Sequence, residues 1–347
     1  MKRVGVKVVV GSGAAVAVLA IAALSMAQQP AAPGPLQEPQ WAYAIPTPRP
    51  AGAPAPAAAP PPAADVKHSL PGTDRTFTLN EIRGVTPPGA TPTGPADWYP
   101  EDHPPMPPVV AVGDAARRVT ACALCHYPNG KGRPENSGVA GLTKEYLALQ
   151  LHDMKAGNRN SAEPRKGNAT AMVNIAKGMT DEEIEAAAAY YASIKWTPWI
   201  RVVESDTAPK TRNVGGLLLP LTGPEAGEEP LDGRIVEVPE NPERTELLRD
   251  PRSGFIAYAP KGSIEEGAFL ADVGSCAICH GDGLVGRNIA PALAGRSPSY
   301  IARQLNDFKQ GTRKGANAGQ MTGVVRELTP ADMTALAAYV GSLPPAP

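Results

Sequence analysis

The pentapeptide Cys-Ala-Leu-Cys-His at residues 122–126 returns as Cys-Ala-Ile-Cys-His at 276–280, and the repetition extends well past these five residues. Residues 122–157 align without a gap to 276–311, with 15 of 36 positions identical, and residues 172–194 align in the same way to 321–343. Between these blocks the first copy carries five more residues than the second. Self-similarity on this scale predicts two homologous folding units, because each copy carries the same order of buried and exposed positions.

The pattern inside each unit is helical. "EYLALQLHDMKAG" matches "SYIARQLNDFKQG", placing Leu147, Leu151 and Met154 against Ile301, Leu305 and Phe308 on one helix face. The last helix opens at Thr180, with Glu183 completing a capping box, or at Thr329 followed by Pro330 at the first helical position. Its apolar stripe runs through Ile184, Ala187, Ala188, Tyr191 and Ile194, or through Met333, Leu336, Ala337, Val340 and Leu343. Ahead of the second cysteine pair, Ser263 and Glu266 read as a capping box leading into the helix that carries Cys276. "GDAARRVTA" is the weaker helix signal in the first copy.

The rest of the chain differs in character. Residues 1–27 join Lys2, Arg3 and Lys7 to an apolar run that ends in Ser25, Met26 and Ala27, the pattern of an export signal; an uncleaved membrane anchor is the alternative. Residues 28–64 form a Pro/Ala tract that reads as an extended tether, with a reach of roughly 100 Å at about 3.1 Å per residue. Residues 65–200 form the first domain, its leader supplying Phe77, Leu79, Ile82, Trp98 and Tyr99 to lie over it. Residues 201–262 are a connector with β-like runs at 200–203 and 234–238, expected to wrap and tie the units together, and 263–347 form the second domain. The formal net charge is −1, and removal of the basic leader makes it more negative, which gives no support for nucleic acid as a partner.

The chain has four cysteines, all in the two repeated motifs. A redox dithiol would need a βαβ setting, and both motifs sit in a helical repeat. A shared structural zinc would need ligands more than 150 residues apart brought together. Covalent haem attachment uses all of each motif: Cys122 and Cys125, or Cys276 and Cys279, form thioethers to the two vinyl groups, and His126 or His280 lies beneath the iron. Two covalently bound haem c groups follow, each with its iron.

The opposite axial ligand should be a Met or His well downstream. Met154 aligns with Phe308 and Met179 with Leu328, so both read as core. Met172 aligns with Met321, each eight residues before its capping Thr and on a loop rather than a helix face, and these two are the expected distal ligands. His152, aligned with Asn306, reads as a polar helix position, and His68 and His103 as solvated residues of the leader.

"AGRSPSYIARQL", "FKQGTR" and "LTPADMTALAAYVGSL", together with the paired CxxCH motifs, resemble the dihaem class I c-type cytochromes of the tandem, cytochrome c4-like family. The resemblance covers roughly residues 110–195 and 263–347. It implies an all-α fold of two tandem class I cytochrome c domains, joined here by a long irregular connector and preceded by a disordered Pro/Ala-rich tether. It also implies a proline whose carbonyl receives the ring N–H of the proximal histidine. Pro291 fits in the second copy; the alignment puts Ser137 at that position in the first, with Pro134 nearby, a departure from the pattern.

With His and Met on both irons no position is open to substrate, which predicts outer-sphere electron transfer rather than catalysis. The expected role is a periplasmic carrier, exported and free or anchored to the inner membrane. It would work between a dehydrogenase or quinol-oxidising complex and a terminal oxidase or other acceptor. The alternatives are a cytochrome subunit of an alcohol or sugar dehydrogenase, or a dihaem peroxidase. The cationic loops bearing Lys155, Arg159, Arg165 and Lys166, and Lys309, Arg313 and Lys314, are expected to steer acidic partners.

Overall fold

The computed structural model describes residues 39–45, 65–87 and 89–345. The export signal and most of the Pro/Ala tract lie outside these residues. Among the described residues no helix is long and apolar enough to cross a membrane.

In the first repeat the motif helix Cys122–His126 is followed by Lys144–Lys155, Gly167–Gly178 and Asp181–Ala192. The second repeats this order with Cys276–His280, Pro298–Lys309, Ala318–Val325 and Pro330–Ser342. The first terminal helix opens with the expected capping box, Thr180 with Glu183; the second starts at Thr329 with Pro330 next, as expected, and Asp332 completes a box there as well. Ile184, Ala187, Ala188 and Tyr191 enter the first core, and Ala337 and Val340 the second.

The segments before the cysteines depart from the expected helices. "GDAARRVTA" forms a tight antiparallel hairpin, Gly113–Asp114 on Val119–Thr120, reversed with Arg118 at φ 59°. Ser263 does not cap its helix: Gly262 occupies the cap, Glu204 of the connector accepts from Ile264 N at 2.9 Å, and the Ser263 hydroxyl is buried without a partner. That helix, Ser263–Val273, stops before Cys276, and Ser275 at φ 53° turns the chain into the separate motif helix.

The chain as a whole is therefore not purely helical, and the connector supplies most of its strands. Val236–Pro239, Phe255–Pro260 and Ile200–Ser205 form a three-stranded sheet in that order, the last pair parallel. Trp199, Phe255 and Ile200 pack on the first core, whereas Ile235, Ala257, Ala259 and Val202 pack on the second. One sheet thus serves both units, and alternate residues of Phe255–Pro260 are fully buried, as a strand covered on one face requires.

The leader is also built in. Trp98, Tyr99, Leu79 and Ile82 form a small core with Leu248 of the connector, and Trp98 Nε1 donates to the Leu248 carbonyl at 2.8 Å. His103 is not solvated as expected: its ring is 4% exposed, with Nε2 3.1 Å from Asp97 Oδ1 and Nδ1 2.9 Å from the Pro104 carbonyl. Within the supposed tether, the one turn Gln40–Tyr43 docks on the helix Pro298–Lys309. The Tyr43 hydroxyl donates to Asp307 at 3.0 Å, and Arg303 donates to the Ala42 carbonyl at 2.7 Å. A short aromatic sequence inside the proline tract is thus part of the folded body.

Candidate functional site

Each motif helix presents its two cysteines and its histidine to one cavity. The first, about 160 Å³, is lined by Cys122, Cys125 and His126 on one side and by Met154, Met172 and Met179 on the others. The second, about 260 Å³, is lined by Cys276, Cys279, His280 and Met321, with Phe308 and Leu328 at the places of Met154 and Met179. Both expected distal methionines lie on helices, Met172 in Gly167–Gly178 and Met321 in Ala318–Val325, and not on loops. The Gly- and Asn-rich start "GNAT" has low helix propensity, but Val173 and Ala176 are buried and packing outweighs propensity.

Both imidazoles are fixed in the same way. His126 Nδ1 lies 3.0 Å from the Ser137 carbonyl, and His280 Nδ1 lies 2.9 Å from the Pro291 carbonyl. A carbonyl can only accept, so Nδ1 carries the proton and Nε2 keeps its lone pair for a metal. Burial pushes both imidazoles below their ordinary pKa, favouring the neutral ligating form, with the carbonyl contacts acting against it. Ser137 thus takes the proline's place in the first copy: a main-chain carbonyl needs no proline to supply it. Ser137 reaches its position at φ 82°, and the turn passes so close to Gly132 that a Cβ there would lie 2.0 Å from the Ser137 carbonyl oxygen. Pro134, the other residue considered, turns its carbonyl to Arg303 at 2.6 Å.

Several buried cations border the cavities, and the sequence reading placed three of them on the surface. Arg159 donates to Gln150, Tyr300 and Gln304, each at 3.0 Å. Arg313 donates to Gln304 at 2.9 Å, Tyr146 at 2.9 Å and Gln150 at 2.7 Å. Tyr146, Gln150 and Arg159 align with Tyr300, Gln304 and Arg313, so one constellation occurs twice and interlocks across the domain boundary. The identity of Tyr146 with Tyr300, Gln150 with Gln304 and Arg159 with Arg313 between the repeats was the available sequence signal. Lys166 is 4% exposed and its Nζ has no partner among the described residues; burial, with Arg303 adding to it, lowers its pKa to about 7. Of the remaining loop cations, Lys155 pairs with Asp181, Arg165 with Glu163, and Lys309 donates to the Leu328 carbonyl, while the Lys314 side chain is exposed with no ion pair among the described residues. Lys166 and Arg313 are thus buried and do not belong to the expected steering surface, whereas Arg165 and Lys314 are exposed.

These residues fit a haem. Two thiols at motif spacing can take its vinyl groups, a lone-pair Nε2 its iron, and unpartnered Lys166 its carboxylates in the first cavity. Arg296, whose Nε is buried without a partner, can serve similarly in the second. Burial raises the Cys122 thiol to about 12, so it is held protonated before linkage.

The cytochrome c family model matches residues 111–195 and 264–344, one span around each cavity. Cytochrome c-554(548) of Halomonas halodenitrificans is 38% identical over 71 residues, 20% of this chain and 86% of that protein. The chain belongs to the cytochrome c family. Its two domains, each with one covalently bound haem c, make it a tandem, cytochrome c4-like electron carrier. Cytochrome c4 of Azotobacter vinelandii is 26% identical over 244 residues, 67% of this chain and 90% of that protein. The thiosulfate dehydrogenase electron acceptor of Thiomonas intermedia (strain K12) is 29% identical over 237 residues, 67% of this chain and 83% of that protein.

Proposed function

We propose that the protein is a periplasmic dihaem carrier that accepts and passes single electrons by outer-sphere transfer, with His126 and Met172 on one iron and His280 and Met321 on the other. The observation that carries this reading is the repeated placement of a fixed imidazole and a methionine in one cavity, with Met154 and Met179 replaced by Phe308 and Leu328 in the second copy. Haem iron supplies the one-electron chemistry when bound. The chain's own residues exclude water through Tyr146, Leu147 and Tyr191, hold the imidazole tautomer, and neutralise buried carboxylates. Two protein ligands leave no place for a peroxide, which argues against a peroxidase.

Its donor is a dehydrogenase or a quinol-oxidising complex and its acceptor a terminal oxidase. Similarity to thiosulfate dehydrogenase electron acceptors favours a second reading, in which the protein is the cytochrome partner of a dehydrogenase. Purification from the native membrane and periplasm separates the two. A carrier elutes alone with two reducible haems, whereas a subunit elutes with a catalytic protein whose substrate reduces both haems. The same preparation tests export and anchoring through its N-terminal residue.

A further inference from the structure

The two haem motifs lie in unlike surroundings. Over the first, Arg249 of the connector donates to the Leu124 carbonyl and lies 5.5 Å from the centre of the Tyr127 ring. Glu135, at 3% exposure, is covered beside it. The aligned positions in the second copy are bare among the described residues: Ile278 for Leu124 is 72% exposed and Ile289 for Glu135 40%, and Val273, at the end of the helix ahead of the motif, is 60% exposed. Phe269 and Val324 extend this surface, and Cys279 is exposed where Cys125 is half-buried. Ile289 and Val324 line the second cavity with Cys279, so these apolar side chains frame its mouth.

A contiguous exposed apolar surface marks an interaction site. We propose that the second domain is the port through which the protein exchanges electrons, and that its partner is a redox protein with an uncharged apolar face around its own cofactor. The inference rests on the electron-carrier reading above. Two observations select this occupant. The same face of the first domain is filled by protein, in that case the chain's own connector. Charge does not single out a partner of one sign: exposed Glu265, Glu266, Asp272, Asp282 and Glu327 stand among exposed Arg287, Lys314 and Arg326, and Arg313 and Lys309 are engaged internally. One electron leaves the reduced partner's cofactor and arrives in the second domain; the partner is oxidised by one electron and no bond forms or breaks.

The test uses the holoprotein on gold electrodes coated either with a mixed methyl- and hydroxyl-terminated monolayer or with a carboxylate-terminated one. Haem content and reduction by ascorbate in solution are measured first. The expected result is an electroactive film on the uncharged layer, unaffected by added salt. Phe269→Glu with Val273→Glu should reduce its coverage about tenfold, and Val112→Glu on the first domain should not. Ile278→Glu with Val324→Glu provides a second, independent disruption. A preference for the carboxylate layer, or wild-type coverage by both double variants, would overturn the port. Failure to cycle electrons in solution would instead overturn the carrier reading.

Discussion

The Nδ1 of His126 lies 3.0 Å from the carbonyl oxygen of Ser137, and its counterpart His280 lies 2.9 Å from that of Pro291. Two different residues thus perform one task. They do so with different backbones: Ser137 stands at φ 82°, a conformation that proline, locked near −65°, cannot adopt.

Replacing Ser137 with the proline of the second copy should therefore damage the first site. We expect Ser137→Pro to destabilise the holoprotein by more than about 1 kcal/mol and to lower the potential of one haem, whereas Ser137→Gly is neutral or mildly stabilising. Thermal melts and redox titrations of the two variants check this, and a Pro variant as stable as wild type would show that the turn relaxes.

Arg159 and Arg313 interlock the domains through Tyr300, Gln304, Tyr146 and Gln150. Arg159→Met leaves several polar groups without their charged partner, at a cost of about 2–4 kcal/mol. Calorimetry should show the single unfolding transition moving to lower temperature or dividing into two; an unchanged profile would mean that the connector sheet alone holds the domains.

The leader should detach more readily as pH rises. Burial alone would lower the pKa of His103, but Asp97, the Pro104 carbonyl and Asp102 together hold it above the ordinary 6.5. Such a group stabilises the folded state fully below the unfolded pKa and loses that contribution as pH rises through its folded value. Proteolysis in the leader, near Asp97–His103, should accelerate from about neutral pH upward, and Asp97→Asn should remove the dependence.

Lys166 gives the first site a pH-dependent charge. Its ammonium, when present, favours the reduced over the oxidised haem, so the first potential should fall as pH rises through the lysine's pKa, about 7 without a carboxylate partner and higher with one. Lys166→Met should flatten that slope and leave the second haem unchanged. A slope that persists in the variant assigns the titration elsewhere.

The repeat made much of this architecture legible. It paired the cysteines and histidines, located the Thr180 and Thr329 helix starts, and singled out Met172 and Met321. What it missed has tertiary causes. The helix around Met172 begins in "GNAT", a loop-like sequence that packing makes helical. Ser263 loses its capping role because the helix begins one residue earlier: the Gly262 carbonyl takes the Glu266 N–H, and Glu204, sixty residues away in the chain, takes that of Ile264. Tyr43 is recruited from a proline tract by Asp307 and Asn306 of the second domain. Arg159 and Arg313 read as surface charges because their partners lie in the other repeat.

The central claim is that each iron takes one histidine and one methionine and so transfers electrons without binding substrate. Near-infrared magnetic circular dichroism of the ferric holoprotein tests it most directly. His/Met ligation gives methionine-to-iron charge-transfer signals from both haems, one lost in Met172→Ala and the other in Met321→Ala. A bis-histidine or high-spin signal from either haem, or loss of the first signal in Met154→Ala or Met179→Ala rather than in Met172→Ala, would contradict it.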